Sequence, residues 1–484
     1  MTRSRATAAW VVGLCLGTVG AVSLAVGAWL LTPESFGYHS GGAERVGKQF
    51  AKMTPPMAMT ITGVVLLVVA WCLCGRVALS TRRAVWTAVA WAAPMAAAPP
   101  LLSADMYAYA DQGWQQLHGM NPYVVGLSED TGPFAHVVSS YWHGTTAVYG
   151  PLALRLQAAA VWFAGDSVPA AILALRLISV LAVIGMGVGV VVLGRQHGIP
   201  AGRALWWAVL NPMTIAHLIG GGHNDAPAGA GIILAIALAT RRHGWLWAGL
   251  LIGAAACFKQ PALLAAVFAG VIVARTGRDE IRPGGRGVVR VIVAVATVVG
   301  VALGAFIVIH LLCGLGFGWT NAMSVPGVAA TFAPFSLVMT VTNRLTGLAT
   351  SALPGWLPAV VLWSVRGVLV LAFLALLVRW RRRPVLIAGV GLSAASLALD
   401  AFRTWYLGWG FGLLVIGGGR RVLGIAAGGL AALMLADVLR EYARIDRLVE
   451  FGIGCVFGLV VGVVVARSLP ARLAASPGGV GSQT

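Results

Sequence analysis

Asp105 opens the polar stretch SADMYAYADQGWQQLHGMNPYVVG, two residues beyond the end of an apolar run. A carboxylate at such a half-wet boundary can stay ionised and accept a proton, which is what a general base requires. Tyr107, Tyr109, Trp114 and Tyr123 follow it closely. Rings of this kind pack against sugar faces, and they also form the interfacial belts of membrane proteins. A helix cap is the competing role for Asp105. Asp111 comes six residues later, about 240° around a helix from Asp105. The two carboxylates therefore share no face, and Asp111 reads as a solvated or structural residue.

A second polar group, His223, Asn224 and Asp225, sits between two oily runs directly after three glycines. The glycines let backbone approach a neighbouring helix or a ligand closely, and a charge placed near lipid marks a candidate site. Capping of the next helix by Asp225 and a turn held by Asn224 are the structural alternatives. His223 has no second His or Cys at ligand spacing, so no metal site is expected. His217, within the preceding run, reads as a satisfied interior histidine. Lys259 in ACFKQPALL and Arg403 in LDAFRTWYLGW each stand where two apolar runs meet. A cation there needs an anion, and a lipid phosphate is available. Snorkelling is the alternative for Lys259, and an ion pair with Asp400 is the alternative for Arg403.

These residues must be positioned by elements made of oily sequence. The chain has 484 residues, 59% hydrophobic and only 10% charged, with mean hydropathy +0.86. Soluble domains carry about 25% charged residues, so the expected fold is an all-α polytopic membrane protein. The net charge of +19 is spread in short clusters between oily runs, as in Arg82-Arg83, Arg241-Arg242, Arg381-Arg382-Arg383 and Arg420-Arg421. That is the pattern of cytoplasmic loops rather than of a nucleic-acid face. The six cysteines lie in or beside apolar runs and read as packing residues. The N-terminal run to Leu31 lacks a small-residue cleavage site and reads as a retained helix.

Apolar runs suggest about 14 (12–15) transmembrane helices, forming one domain over residues 1–470 with a disordered cytoplasmic tail at 471–484. Reading 151–164 as a re-entrant or interfacial helix puts every Arg cluster and both termini on the cytoplasmic side. Segments 32–56, 103–150 and 314–356 then face outward, as do 219–226, while 275–290 faces inward. No inverted repeat of the transporter kind is readable. Asp105, His223, Asp225, Lys259 and Arg403 all fall at one outer boundary, which favours an enzyme over a transporter or flippase of lipid-linked sugars, and over a structural protein.

Several motifs recur together in one order: DMYAYADQG at 105–113, NPY at 121–123, YGPL at 149–152, LNP at 210–212, GGGHNDA at 220–226, FKQPALL at 258–264 and RTWYLGW at 403–409. The set resembles the actinobacterial polyprenyl-phosphomannose-dependent α-1,6-mannosyltransferases, integral-membrane glycosyltransferases of the GT-C class that elongate lipomannan and lipoarabinomannan cores. The resemblance runs from about residue 60 to 470. It implies a GT-C-like bundle in a bacterial plasma membrane, with short interfacial helices in an extracytoplasmic catalytic loop.

The resemblance further implies a catalytic Asp105, a polyprenyl-phosphate-mannose donor, and a glycolipid or mannan acceptor. A β-linked donor sugar transferred with inversion would give an α-mannoside. Lys259, Arg403 and His223 are the candidate donors to the leaving phosphate. Tyr107, Tyr109, Asn224, Asp225, Tyr149, Trp405 and Tyr406 are the candidate lining. No Gly-rich nucleotide fingerprint follows a strand, and no cofactor is called for.

Overall fold

The computed structural model describes residues 3–31, 54–77, 79–276, 285–323, 331–348, 350–399, 401–443 and 445–469. Among these the regular structure is helical, with one isolated bridge between Leu127 and His143. Most of the expected outer segment 32–56, the tail, part of 275–290 and Asp400 lie outside the described residues.

The helices used below are α1 (Arg3–Leu31), α2 (Pro55–Gly75), α3 (Thr81–Ala97), α4 (Asp105–Leu117), α5 (Pro151–Ala164), α6 (Val168–Gln196), α7 (Ala201–Ala208), α8 (Asp225–Ala239), α9 (Trp245–Ala256), α10 (Ala265–Arg275), α11 (Gly285–Cys313), α12 (Pro334–Thr346), α13 (Leu357–Arg379), α14 (Pro384–Leu397), α15 (Phe411–Gly417), α16 (Arg420–Val438) and α17 (Arg447–Ser468).

Seven of them, α1, α2, α6, α11, α13, α16 and α17, are long and apolar enough to cross a membrane. Five further apolar stretches of 10–17 residues are shorter, and length and composition alone do not reach the fourteen expected spans. The 15 residues of α8 rise only about 22 Å, against a hydrocarbon core of about 30 Å. The ambiguous run at 151–164 forms α5, 14 residues long and likewise too short to cross upright.

Packing follows the rules of lipid, where small residues let helices approach. Gly424 and Gly428 on α16 lie directly against Gly462 and Gly458 on α17, with no room for a side chain between them. Trp71 on α2 and Trp206 on α7 each donate an indole N–H to the other's carbonyl, at 3.1 and 3.0 Å. In contrast α13 has no buried residue at all.

Three departures from regular α-helix matter for function. Residues Thr214–Gly220 form a π-helical segment, while Gln260–Leu264 and Thr404–Trp409 form 3-10 turns. Each shortens or redirects the chain where two apolar elements meet. His223, Lys259 and Arg403 stand within a few residues of these segments, so polar side chains cluster where the regular helices give out.

Candidate active site

Asp105 is the first residue of α4, and no side chain caps that helix. Its backbone N–H donates to Ser103 Oγ at 3.2 Å, which fixes the turn leading into it. The Asp105 carboxylate Oδ2 lies 3.4 Å from Nδ1 of His223, whose ring is wholly buried. The imidazole in turn stacks on Trp405, centroids 3.8 Å apart and planes at 11°. A carboxylate, an imidazole and an indole from three distant stretches thus stand side by side.

The GGG stretch makes this approach possible. Gly222 has φ +60°, and a Cβ there would sit 2.5 Å from Met106 Sδ. Any larger residue would drive His223 away from the start of α4. The expected close approach of backbone at the glycines is therefore to a helix end, the one that carries Asp105.

Lys259 has an anionic partner within the protein. Its ammonium lies 3.6 Å from Asp225 Oδ2, and both side chains are largely enclosed, 13% and 1% exposed. The ammonium also sits over two rings, 4.9 Å from the Tyr149 centroid and 4.8 Å from that of Tyr406. Desolvated cation–π contacts of this kind contribute about 2 kcal/mol. Asp225 Oδ1 accepts from the Trp409 indole at 2.9 Å, and Tyr406 stacks on Trp409 at 4.9 Å. Asp225 opens α8 without capping it through its side chain, and Asn224 occupies the cap position. Tyr109 donates its hydroxyl to Tyr149 Oη at 3.1 Å, closing the aromatic wall. Arg403 is half-buried, its guanidinium 5.7 Å above the Trp405 ring.

Electrostatics favour an ionised carboxylate at Asp105. Burial opposes charge on Asp105, but the adjacent His223 imidazole, with the Arg403 and Lys259 charges, outweighs it and holds the carboxyl below the usual range. For Lys259, burial pulls the ammonium down, and Asp225, with the surrounding phenols and Asp105, more than reverses this. Lys259 is therefore a fixed positive charge at neutral pH. Burial, with Tyr149 and Asp105 beside it, pushes the Tyr109 phenol well up, leaving a neutral hydroxyl.

A family model described as alpha-(1->6)-mannopyranosyltransferase, N-terminal domain, matches residues 14–275, more than half of the chain. The chain belongs to the α-(1→6)-mannopyranosyltransferase family. It is a membrane-embedded glycosyltransferase. It is similar to a probable alpha-(1->6)-mannopyranosyltransferase of Mycolicibacterium smegmatis, 29% identical over 88% of this chain and 82% of that one. Alpha-(1->6)-mannopyranosyltransferase B of Corynebacterium glutamicum is 27% identical over 81% of this chain and 71% of its own. Among solved structures, the apo oligosaccharyltransferase of Archaeoglobus fulgidus aligns at 12% identity over 86% of this chain and 57% of that one. Its TM-score of 0.35 makes the likeness too distant to carry weight.

Within this mannopyranosyltransferase, most of the residues singled out from sequence meet in one place. Asp105, His223, Asp225, Lys259, Arg403, Tyr109, Tyr149, Trp405 and Tyr406 form a connected set. Asn224 is buried with no hydrogen-bond partner for its amide nitrogen. Tyr107 is also buried, but it lies by the Arg176 charge, and its hydroxyl is unpartnered.

Arg176 escaped the sequence reading altogether. It lies on α6, 2% exposed, and donates to four carbonyls: Ile219 at 3.1 Å and Ala96, Ala98 and Gly220 at 2.8 Å each. Two of these acceptors precede Asp105 and two precede His223, so one guanidinium ties together the backbones that carry the pair. Its fork geometry suits this, and a lysine with three donors from one point does not. Arg176→Lys is expected to lower turnover about tenfold or more, since each charge-assisted hydrogen bond contributes about 1.5–3 kcal/mol. Turnover per folded molecule at saturating substrates is the measurement, and wild-type turnover would confine Arg176 to folding.

Asp111 is wholly buried rather than solvated, and its Oδ2 accepts from the Ser128 N–H at 3.0 Å. Burial, with Asp130 adding to it, pushes its carboxyl up to about 7, although the Ser128 bond works the other way. The folded state therefore holds this proton more tightly than the unfolded chain. Stability from this group is complete below the usual carboxylate range and falls as pH rises towards about 7. Asp111→Asn mimics the protonated form. Its Tm should match wild type in acid and exceed it at pH above about 7, with activity near wild type. A Tm difference that does not grow with pH would contradict this.

Proposed function

We propose that the chain transfers mannose from a polyprenyl-phosphate-mannose donor to a mannan acceptor at the outer face of the plasma membrane. Transfer inverts the anomeric carbon and forms the α-1,6 linkage of a lipomannan-type envelope glycan. The observation that carries the reading is the meeting of an ionised, histidine-held carboxylate with two cations in one enclosed site. Asp105 takes the proton from the acceptor 6-hydroxyl as its oxygen attacks the anomeric carbon. The bond from that carbon to the phosphate oxygen breaks, and polyprenyl phosphate leaves with the electron pair. Lys259 and Arg403 stabilise the charge on the departing phosphate, with His223 beside them.

The family membership supports mannosyl transfer, and the lipid donor is supported by cations set at helix ends among apolar residues. The test is a membrane preparation containing the protein, radiolabelled polyprenyl-phosphomannose and a short α-mannoside acceptor. Label is expected in an elongated α-1,6 product, and a donor left intact would overturn the proposal.

Sidedness has its own test. The Arg clusters support 103–150 outside and 275–290 inside. A cysteine introduced in the 103–150 loop of a cysteine-free variant should react with an impermeant maleimide in intact cells. One introduced in the 280s should react only after permeabilisation, and its labelling from outside would reverse the topology.

A further inference from the structure

A second carboxylate–imidazole pair stands at the edge of Trp405, next to the first. His217 projects from the π-helical segment Thr214–Gly220 and is wholly buried. Neither of its ring nitrogens has a hydrogen-bond partner. Asp437, near the end of α16, places Oδ2 3.9 Å from His217 Nε2, beyond hydrogen-bond reach, and its side chain is 25% exposed. The Trp405 ring serves both pairs, with its centroid 5.2 Å from His217 and 3.8 Å from His223, and the two imidazoles are 6.2 Å apart.

A buried imidazole with two idle nitrogens is costly, because the group lost its water without gaining a partner. π-Helical turns also interrupt helices most often at functional sites. The side chains on offer are specific in kind. A carboxylate only accepts, a neutral imidazole has one donor and one acceptor position, and a hydroxyl can satisfy both at once. A gap of 3.9 Å between the two groups suits a bridging hydroxyl oxygen better than a direct bond.

We infer that His217 and Asp437, with the edge of Trp405, form a subsite that binds a hydroxyl of the hexose ring being handled at Asp105. The inference rests on the transferase reading above and adds a specificity-determining pair to it. The hexose belongs either to the donor or to the acceptor, since both present the same hydroxyl chemistry one glycosidic bond apart. Asp437 is not a second base here: Asp105 already has its own histidine, stacked on the face of the same indole.

The experiment pairs Asp437→Asn and His217→Gln with singly deoxygenated mannosyl donors and α-mannoside acceptors. With the full sugars, each variant should lose about ten- to a hundredfold in kcat/KM, the size of one hydrogen bond to a charged or buried group. The loss should fall mainly on KM, with an unchanged pH–rate profile. With the one analogue that lacks the bound hydroxyl, variant and wild type should become equal. Equality along the donor series places the donor sugar there, and equality along the acceptor series places the acceptor.

A penalty that stays the same across every analogue of both series overturns the inference. So does a fall in kcat with a displaced pH profile, which would make Asp437 a base. His217→Gln carries the same comparison should Asp437→Asn not fold. Absence of transfer by the wild-type protein would instead defeat the proposed reaction, and is read separately.

Discussion

Asp105→Asn should lower turnover by about 10²–10⁴-fold, the usual cost of removing a general base, while the protein still inserts and folds. The amide keeps the shape of the carboxylate and can still meet His223 Nδ1, but it cannot take a proton at neutral pH. A helix cap would respond differently, since Asn caps as well as Asp. Here the carboxylate makes no capping bond in any case. The pH dependence supplies a second signature. Activity requires the ionised form, so it is lost as pH falls through the depressed pKa of Asp105. His223→Gln removes the neighbour that offsets burial, so the acid limb should move towards neutral pH. Near wild-type turnover by well-folded Asp105→Asn would remove it as the base. The role could not pass readily to Asp225, which Lys259 and Trp409 already engage.

Lys259→Ala is expected to cost about ten- to a hundredfold in kcat/KM for the lipid donor, the worth of a charge-assisted hydrogen bond to phosphate. The structure complicates the single variant, because it strands the buried Asp225 carboxylate without its cation. Breaking a buried pair from one side costs about 3–5 kcal/mol of stability. The informative protein is therefore Lys259→Ala/Asp225→Asn, in which the stranded charge is gone and the Trp409 N–H keeps an acceptor. Its Tm should recover most of the loss while donor kinetics stay impaired. If donor use recovers along with stability, the lysine serves only to neutralise Asp225.

Much of this site was legible because charge is conspicuous in an oily chain. Asp105, His223, Asp225, Lys259 and Arg403 each stand at the edge of an apolar run, and each reaches the cluster in the structure. What stayed hidden has physical reasons. Arg176 is satisfied by backbone carbonyls, which leave no mark in sequence, although a lone arginine within ILALRLISV was the available signal. Asp437 stands at the end of an apolar run, and nothing local shows that it faces His217 across the fold. His217 read as a satisfied interior residue, and it is interior but lacks hydrogen bonds. The π-helical and 3-10 segments have periods other than 3.6, so a search for helical stripes passes over them.

The stretch Thr404–Trp409 has a consequence for biogenesis. It brings Trp405 to His223, Tyr406 to Lys259, and Trp409 to Asp225, yet it is synthesised long after those three partners have entered the membrane. Until it arrives, the His223 ring lacks its stacking indole and the Lys259–Asp225 pair has one wall of its enclosure missing. A nascent chain that has reached residue 275, the end of the matched N-terminal domain, carries the acid, the histidine and the lysine without the rings of Thr404–Trp409. The cluster is therefore complete only once the chain has been made through Trp409, near its C-terminal end.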